Sequence, residues 1–336
     1  MKYVCLRNTD LKLSRICLGS AGFGEKLNRE QSFAILDEFV RAGGNFIDTA
    51  NVYCKWVESL GNCSEQVLGE WMKSRGSAKN VVIATKGGHY LFGGREGISR
   101  VNRQEIRKDL EESARTLGLE TIDFYWLHRD DPQKPAEEIV DILEELRREG
   151  KIRYYGFSNY RIDRLRSLEE VIRRRTGKGI TAVSNQWSLA SINPGGNMNP
   201  DPTLVEFSGE EYQWHCETGS AAIPFSSTAM GFFSKLQKAG IDPGKGITSQ
   251  EMQKIPEALR KAYWNQENLE RYQRLLKLQK ETGKSLQALS LAYFFAQPFQ
   301  TIPVTGVSSC SQLREAADAC EIDLEPGILD VQTPAD

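Results

Sequence analysis

Three consecutive apolar runs of this chain end on residues that can carry charge or move a proton: Asp48 with Tyr53 just beyond it, Lys86, and His128. A tyrosine near pKa 10 is a poor acid at neutral pH, but an adjacent ammonium stabilises its phenolate and lowers that value. Lys86 is the candidate ammonium. Asp48 can keep Lys86 charged and oriented by pairing with it, and His128 can share the proton or orient a carbonyl. Such a group suits protonation of a carbonyl oxygen while a hydride arrives at carbon. It contains no nucleophile beside a base. His89, His128 and His215 are widely separated and only one ends an apolar run, so no metal site is expected. A charged group ending a buried strand is often only a solvated rim residue, but four together are harder to read that way.

The elements that must position these residues repeat a single unit: a short apolar run, a polar or glycine-bearing loop, then an amphipathic stretch. The apolar runs cover 16–19, 45–48, 81–86, 122–128, 154–158, 182–186, 221–225 and 301–304. Helical stretches cover 29–42, 65–73, 103–117, 136–149, 162–175 and 286–296, with 310–319 after the last run. Eight continuously apolar strands suit a parallel sheet buried on both faces, and closing that sheet gives an α/β fold, a (β/α)8 TIM barrel. Two short alternating strands at 3–6 and 11–13, joined by Asn8-Thr9-Asp10, predict an N-terminal β-hairpin. The segments 191–208 and 226–283 break the rhythm, the second with two amphipathic pieces, and are expected as long loops on the catalytic rim. No composition shift marks a boundary, so one domain over 1–336 is expected.

The 336 residues are 40% hydrophobic and 26% charged with net charge −2, leaving no basic excess to attract nucleic acid or anionic lipid. No apolar run approaches the roughly 20 residues that span a bilayer, and the opening MKYVCLRNTDLK lacks a secretory pattern. A cytoplasmic protein is expected, with a small molecule as its partner. The seven cysteines show no CxxC spacing and read as reduced thiols.

Five strings together, NFIDTANVY at 45–53, ATKGG at 84–88, DFYWLHRDD at 123–131, GKIRYYGFSN at 150–159 and SNQWS at 184–188, resemble the aldo-keto reductases. The likeness runs from Ile16 to about Ala319 and implies a barrel, an NAD or NADP cofactor extended across the rim, and Asp48, Tyr53, Lys86 and His128 as catalytic residues with Tyr53 as acid and base. It also implies that Asp48 borders the cofactor and that Ser158, Asn159 and Gln186 meet the nicotinamide carboxamide. Phe225 stands where the family's stacking tyrosine lies, and Ser226 is expected at the pyrophosphate, although Ser227 and Thr228 replace the usual Pro and Leu. In TGVSSCSQLREA at 305–316, the resemblance places Gly306 and Ser308 at a phosphate-binding turn and Gln312 and Glu315 at adenosine. No Lys or Arg follows Gly306 directly, so NAD is expected to serve at least as well as NADP.

Other features are weaker. GSAGFG at 19–24 lacks GxGxxG order; as the loop after the first barrel strand, Gly22 and Phe23 can bring backbone to the nicotinamide end. Trp56 and Trp187 are candidates for the substrate pocket, and His89 with Tyr90 for a loop touching substrate. Tyr212 and Trp214 read as helix packing, and Arg173-Arg174-Arg175 as a helix end meeting its dipole. The polar 191–208 segment favours a sugar or polyol derivative. Two other functions fit the sequence: a non-catalytic, cofactor-binding regulatory barrel, and a lyase using Lys86 as a Schiff base.

Overall fold

The computed structural model describes residues 1–93, 95–196, 201–245 and 247–330. It begins with an antiparallel hairpin of β1 (Tyr3–Cys5) and β2 (Lys12–Ser14), turned where Asn8 adopts φ 63°. Eight parallel strands follow: β3 (Cys17–Gly19), β4 (Phe46–Asp48), β5 (Val82–Gly87), β6 (Ile122–Leu127), β7 (Ile152–Ser158), β8 (Ala182–Ser184), β9 (Ala221–Ala222) and β10 (Val304–Gly306). They lie in the order β10-β3-β4-β5-β6-β7-β8-β9. The two ends of that row meet. Ala222 N donates to Gln300 O at 2.9 Å, Ile302 N to Ala222 O at 2.9 Å and Val304 N to Pro224 O at 2.9 Å. The sheet is thereby closed, and the expected (β/α)8 barrel with its hairpin is present.

Successive side chains on a strand alternate between faces, so each barrel strand has an inner and an outer set. The outer set, including Leu18, Ile47, Ile83, Tyr125, Leu127, Phe157 and Val183, packs in one apolar cluster with the helices. The inner set, Cys17, Phe46, Ala84, Phe124, Trp126, Ala182, Ala221 and Ile302, forms a second cluster, closed below by Leu6, Leu11 and Leu13 of the hairpin. The hairpin is therefore the plug of the barrel floor. Counting two residues upward from Phe46, Ala84, Trp126 and Gly156 reaches Asp48, Lys86, His128 and Ser158. Period two alone places these four in the top inward layer.

Trp126 pairs in register with Gly156 on β7, and a Cβ on Gly156 would lie 2.6 Å from the Trp126 ring and 2.6 Å from Ala182 O. The indole occupies the volume that any other residue would need. Gly156→Ala should therefore destabilise the fold by about 1–3 kcal/mol through overpacking. Urea denaturation tests this, with Trp126→Phe in the same chain expected to recover part of the loss; an unchanged midpoint for Gly156→Ala would refute the packing account.

The helices α1 (Arg29–Arg41), α2 (Cys63–Arg75), α3 (Arg103–Leu117), α4 (Ala136–Arg148), α5 (Ile162–Thr176) and α6 (Gly209–Thr218) alternate with the strands. Trp214 on α6 is buried, as helix packing requires. Among the described residues, segment 226–283 contains four α-helices rather than two amphipathic pieces: α7 (Phe232–Lys238), α8 (Ser249–Met252), α9 (Glu257–Tyr263) and α10 (Gln266–Thr282). Pro256 starts α9, and the Asn265 side chain caps α10 by accepting from Asn268 N. Helices α11 (Leu286–Phe295) and α12 (Cys310–Asp318) flank β10. No helix among the described residues is long and apolar enough to cross a membrane.

Segment 191–208, described apart from 197–200, is tied to this insertion. Ser191 N donates to Asn268 Oδ1 at 2.9 Å, Ser191 Oγ to Glu267 Oε2 at 2.6 Å and Asn193 N to Ala262 O at 2.7 Å.

Candidate active site

Asp48 and Lys86 are both about 3% exposed, His128 is buried and Tyr53 is half-buried. Lys86 Nζ donates to Asp48 Oδ2, to Thr49 O at 2.7 Å and to the Tyr53 hydroxyl at 3.0 Å. One ammonium thus spends all three protons on a carboxylate, a carbonyl and a phenol. The tyrosine comes from the turn after β4, where Tyr53 N donates to Ala50 O at 3.1 Å. His128 meets Tyr53 edge-on, with ring centroids 6.0 Å apart.

The electrostatics differ from the sequence expectation in one respect. Burial dominates Tyr53 and pushes its phenol above the usual tyrosine range, and the Lys86 ammonium only offsets part of that rise. Burial likewise works against charge on Lys86, but the Asp48 carboxylate and the Tyr53 hydroxyl outweigh it and hold the ammonium above its ordinary value. Burial, then the Arg129 charge and, less, the neighbouring His89 and Lys86, drive His128 well below the usual imidazole range, so it is neutral at pH 7. Its Nδ1 is buried and has no hydrogen-bond partner among the described residues.

Beside Tyr53 and His128 stands an aromatic wall. Trp56 lies 6.3 Å from Tyr53, Phe92 lies 6.1 Å from Trp56, and His89 lies 5.7 Å from Phe92 and 4.7 Å from His128, all between ring centroids. Trp56 is 41% exposed at its mouth. His89 is held near pKa 4 by burial and by the Arg129 charge. Trp187 follows β8, half-buried, stacked on Phe207 with centroids 4.2 Å apart and edge-on to Phe294.

The remaining predicted residues line the same rim. Ser158 ends β7 and Asn159 follows it with φ 61°. Asn159 Nδ2 donates to His128 O at 3.2 Å and Ser158 Oγ at 3.1 Å, while its Oδ1 accepts from Val205 N at 3.1 Å. Its amide protons are committed inside the protein, whereas Ser158 Oγ, as acceptor in that pair, keeps its own proton to donate. Gln186 follows β8 and its backbone bridges to Phe225 after β9. Phe225 is half-buried, and Ser226, Ala229 and Met230 all have positive φ. Ser227, standing in place of proline, donates to Val304 O at 2.8 Å and ties this turn to β10. Gly306 is open, a Cβ there meeting nothing within 4 Å. Ser309 caps α12, and Ser308 N donates to Gln312 Oε1 at 2.8 Å. Glu315 lies half-buried one turn further along α12. Gly22 borders the rim, but the Phe23 ring belongs to the core and can offer a ligand only backbone.

One expectation is overturned. Cys54 and Cys63 form a disulfide, with Cα atoms 5.8 Å apart, while Cys5, Cys17, Cys216, Cys310 and Cys320 are free. The turn after Tyr53 folds the chain back so that the start of α2 meets it, which cysteine spacing alone does not signal. Sequence reasoning also missed Arg129 and Asp201, a buried pair bridged at 2.8 Å. Arg129 reads as one more rim charge, and 72 residues separate it from its partner.

A closed parallel barrel whose top inward layer holds a lysine, a carboxylate and a neutral imidazole, with a phenol brought onto the lysine from the turn after β4, has the organisation of a barrel oxidoreductase. The chain belongs to the aldo/keto reductase family, whose model matches residues 15–327. It is 28% identical to the oxidoreductase YrpG of Bacillus subtilis over 98% of this chain and 94% of that protein. It is 25% identical to the aryl-alcohol dehydrogenase [NADP(+)] of Phanerodontia chrysosporium over 94% of this chain and 80% of that one. Norsolorinic acid reductase of Emericella nidulans is 36% identical over 161 residues, 44% of this chain and 40% of its own length. Enzymes of this family use NAD or NADP. The rim fits such a dinucleotide: Gly306 leaves open space before a capped helix start, and Ser158 Oγ retains a free donor.

Proposed function

We propose that this chain, acting as one barrel domain, interconverts an aryl aldehyde and its alcohol, with Tyr53 as the proton donor and acceptor. The observation that carries the reading is the buried Lys86 ammonium bonded at once to Asp48 and to the Tyr53 hydroxyl. Bound nicotinamide would supply or accept the hydride. Ser158 and Gln186 would hold its carboxamide and the Phe225 ring its face, with Asn159 setting Ser158. Ser226 and the turn at Gly306 and Ser308 would receive the phosphates, Gln312 and Glu315 the adenosine, and the backbone at Gly22 and Phe23 would border the nicotinamide end.

For reduction, Tyr53 gives its proton to the carbonyl oxygen as the alkoxide forms, and Lys86 stabilises the phenolate left behind. The developing charge is negative and the ammonium is already in place, so no reorganisation is needed. His128 is neutral and buried, which suits orienting the carbonyl through a hydrogen bond rather than sharing the proton. A lyase using Lys86 as a Schiff base fits poorly, because that chemistry needs an amine with lowered pKa and Lys86 is held charged. A purely regulatory barrel shares this geometry, and turnover separates the two.

Substrate class rests on the wall of Trp56, His89, Tyr90 and Phe92, which suits a flat ring stacked beside Tyr53. The name of one relative, the aryl-alcohol dehydrogenase, supports this reading. A sugar or polyol was suggested by the polar 191–208 segment. There Ser191, Asn193, Asp201 and Thr203 bond within the protein, which leaves them poorly placed to recognise hydroxyls. Parallel assays with benzaldehyde and with an aldose test the choice: benzaldehyde is expected to be the better substrate by kcat/KM, and preference for the aldose would overturn it.

Cofactor choice follows from charge. A 2′-phosphate calls for a guanidinium or ammonium, yet 306–313 contains none. Arg314 bonds Glu38 on α1 at 3.1 Å. NAD is therefore expected to support kcat/KM at least equal to that with NADP, and Arg314→Ala to change the ratio by less than about threefold. A hundredfold preference for NADP would mean that another cation reads the phosphate.

A further inference from the structure

Segment 201–205 crosses the mouth of the barrel and bonds to the loops after β5, β6, β7 and β8, the last through Gln186 N, which donates to Val205 O at 2.9 Å. Asp201 Oδ2 accepts from Arg129 Nη2 at 2.8 Å and from the Tyr90 hydroxyl at 2.8 Å. Thr203 Oγ1 accepts from Arg129 Nε at 2.7 Å and donates to Asp201 Oδ1 at 2.6 Å. Val205 N donates to Asn159 Oδ1 at 3.1 Å. Tyr90 follows β5, Arg129 follows β6 and Asn159 follows β7.

Both halves of the central ion pair are buried, with side chains 8% and 4% exposed. A buried pair is weak evidence for stability, because desolvation opposes the Coulombic gain. Its value here is positional. The third arm of the Arg129 fork, Nη1, donates to the backbone carbonyl of His128 at 2.8 Å, and Asn159 Nδ2 donates to the same oxygen. The segment's bonds to Arg129 and Asn159 thus end on the two residues that hold the carbonyl of His128. Tyr90, bonded to the same carboxylate, packs at a tilt against His89 with ring centroids 4.1 Å apart, so Asp201 fixes one panel of the aromatic wall.

We propose that Asp201 is a positioning and selectivity residue: through Arg129 and Tyr90 it clasps segment 201–205 over the rim, fixing His128 and the width of the aromatic pocket. This deepens the aryl-aldehyde reading and rests on it. The clasp does not open near neutrality. Burial opposes charge on Asp201, but the bonds from Thr203 and Arg129 hold its carboxyl far below the usual range, and Tyr90 is pushed up to about 12 by burial and by Asp201. The facing groups are His89, also near Arg100, together with Arg129 and His128.

The test compares Asp201→Ala, Asp201→Asn, Tyr90→Phe and Arg129→Lys with the unaltered chain in two readouts. The first is kcat and KM for benzaldehyde and for 2-naphthaldehyde. Asp201→Ala is expected to raise KM for benzaldehyde about tenfold with a smaller change in kcat, and to shift selectivity several-fold towards the wider ring. Asp201→Asn, which keeps the acceptor oxygen, should recover much of this. Arg129→Lys should not, because an ammonium lacks the planar fork that reaches Asp201, Thr203 and the His128 carbonyl together. The second readout, amide hydrogen exchange, needs no turnover: exchange over 201–208 should accelerate about tenfold or more in Asp201→Ala and less in Tyr90→Phe. Unchanged exchange and unchanged selectivity in folded Asp201→Ala would overturn the proposal. If Asp201→Ala does not fold, Asp201→Asn and Tyr90→Phe decide it by the same criteria. If the unaltered chain turns over no aryl aldehyde, the substrate reading fails while exchange still judges the clasp.

Discussion

Tyr53→Phe is expected to lower turnover by a factor on the order of 10² or more while leaving cofactor affinity nearly intact. The substitution deletes one oxygen, whose only hydrogen bond among the described residues comes from Lys86 Nζ at 3.0 Å. The ring is half-buried and keeps its contacts with Trp56 and His128, so the fold loses little. What disappears is the proton that meets the carbonyl oxygen. Fluorescence titration with the reduced dinucleotide separates binding from chemistry, and near-normal rates in Tyr53→Phe would end the proposed mechanism.

Lys86→Met should be comparably damaging to turnover, and it carries a second consequence. Removing the ammonium leaves Asp48 as a buried carboxylate without its partner, which is expected to cost about 3–5 kcal/mol of stability. Pairing the change with Asp48→Asn removes that penalty and isolates the effect on Tyr53. The sign of the pH effect follows from the charges. Burial already raises the Tyr53 pKa and Lys86 opposes the rise, so losing Lys86 lifts the phenol further. In the reducing direction the chemistry needs protonated Tyr53, and the fall in rate on the alkaline side should move to higher pH and flatten. Activity retained with an unchanged profile would make Lys86 a structural residue.

Much of the fold was legible because a parallel barrel writes its strands as isolated apolar runs, and because polar residues can end those runs only at the rim. The step of two from Phe46 to Asp48, Ala84 to Lys86 and Trp126 to His128 is present in the sequence. What pairs across the barrel is not. The disulfide between Cys54 and Cys63 depends on how one turn folds back. The Arg129–Asp201 pair joins loops whose approach only the closed sheet determines. The four helices between β9 and α11 blurred into two amphipathic pieces because Pro256 and Asn265 interrupt the period without long loops between them. Trp187, expected at the substrate pocket, is half-buried and stacked on Phe207, a packing partner that periodicity does not reveal.

The most direct test of the central claim uses reduced nicotinamide dinucleotide deuterated at C4 of the dihydropyridine ring, with benzaldehyde as acceptor. The account predicts that the unaltered enzyme oxidises the cofactor and delivers deuterium from a single face to the carbinol carbon of benzyl alcohol, and that Tyr53→Phe binds the same cofactor but forms almost no labelled product. Cofactor binding without transfer to any carbonyl compound would contradict it, and so would borohydride trapping of a substrate imine on Lys86.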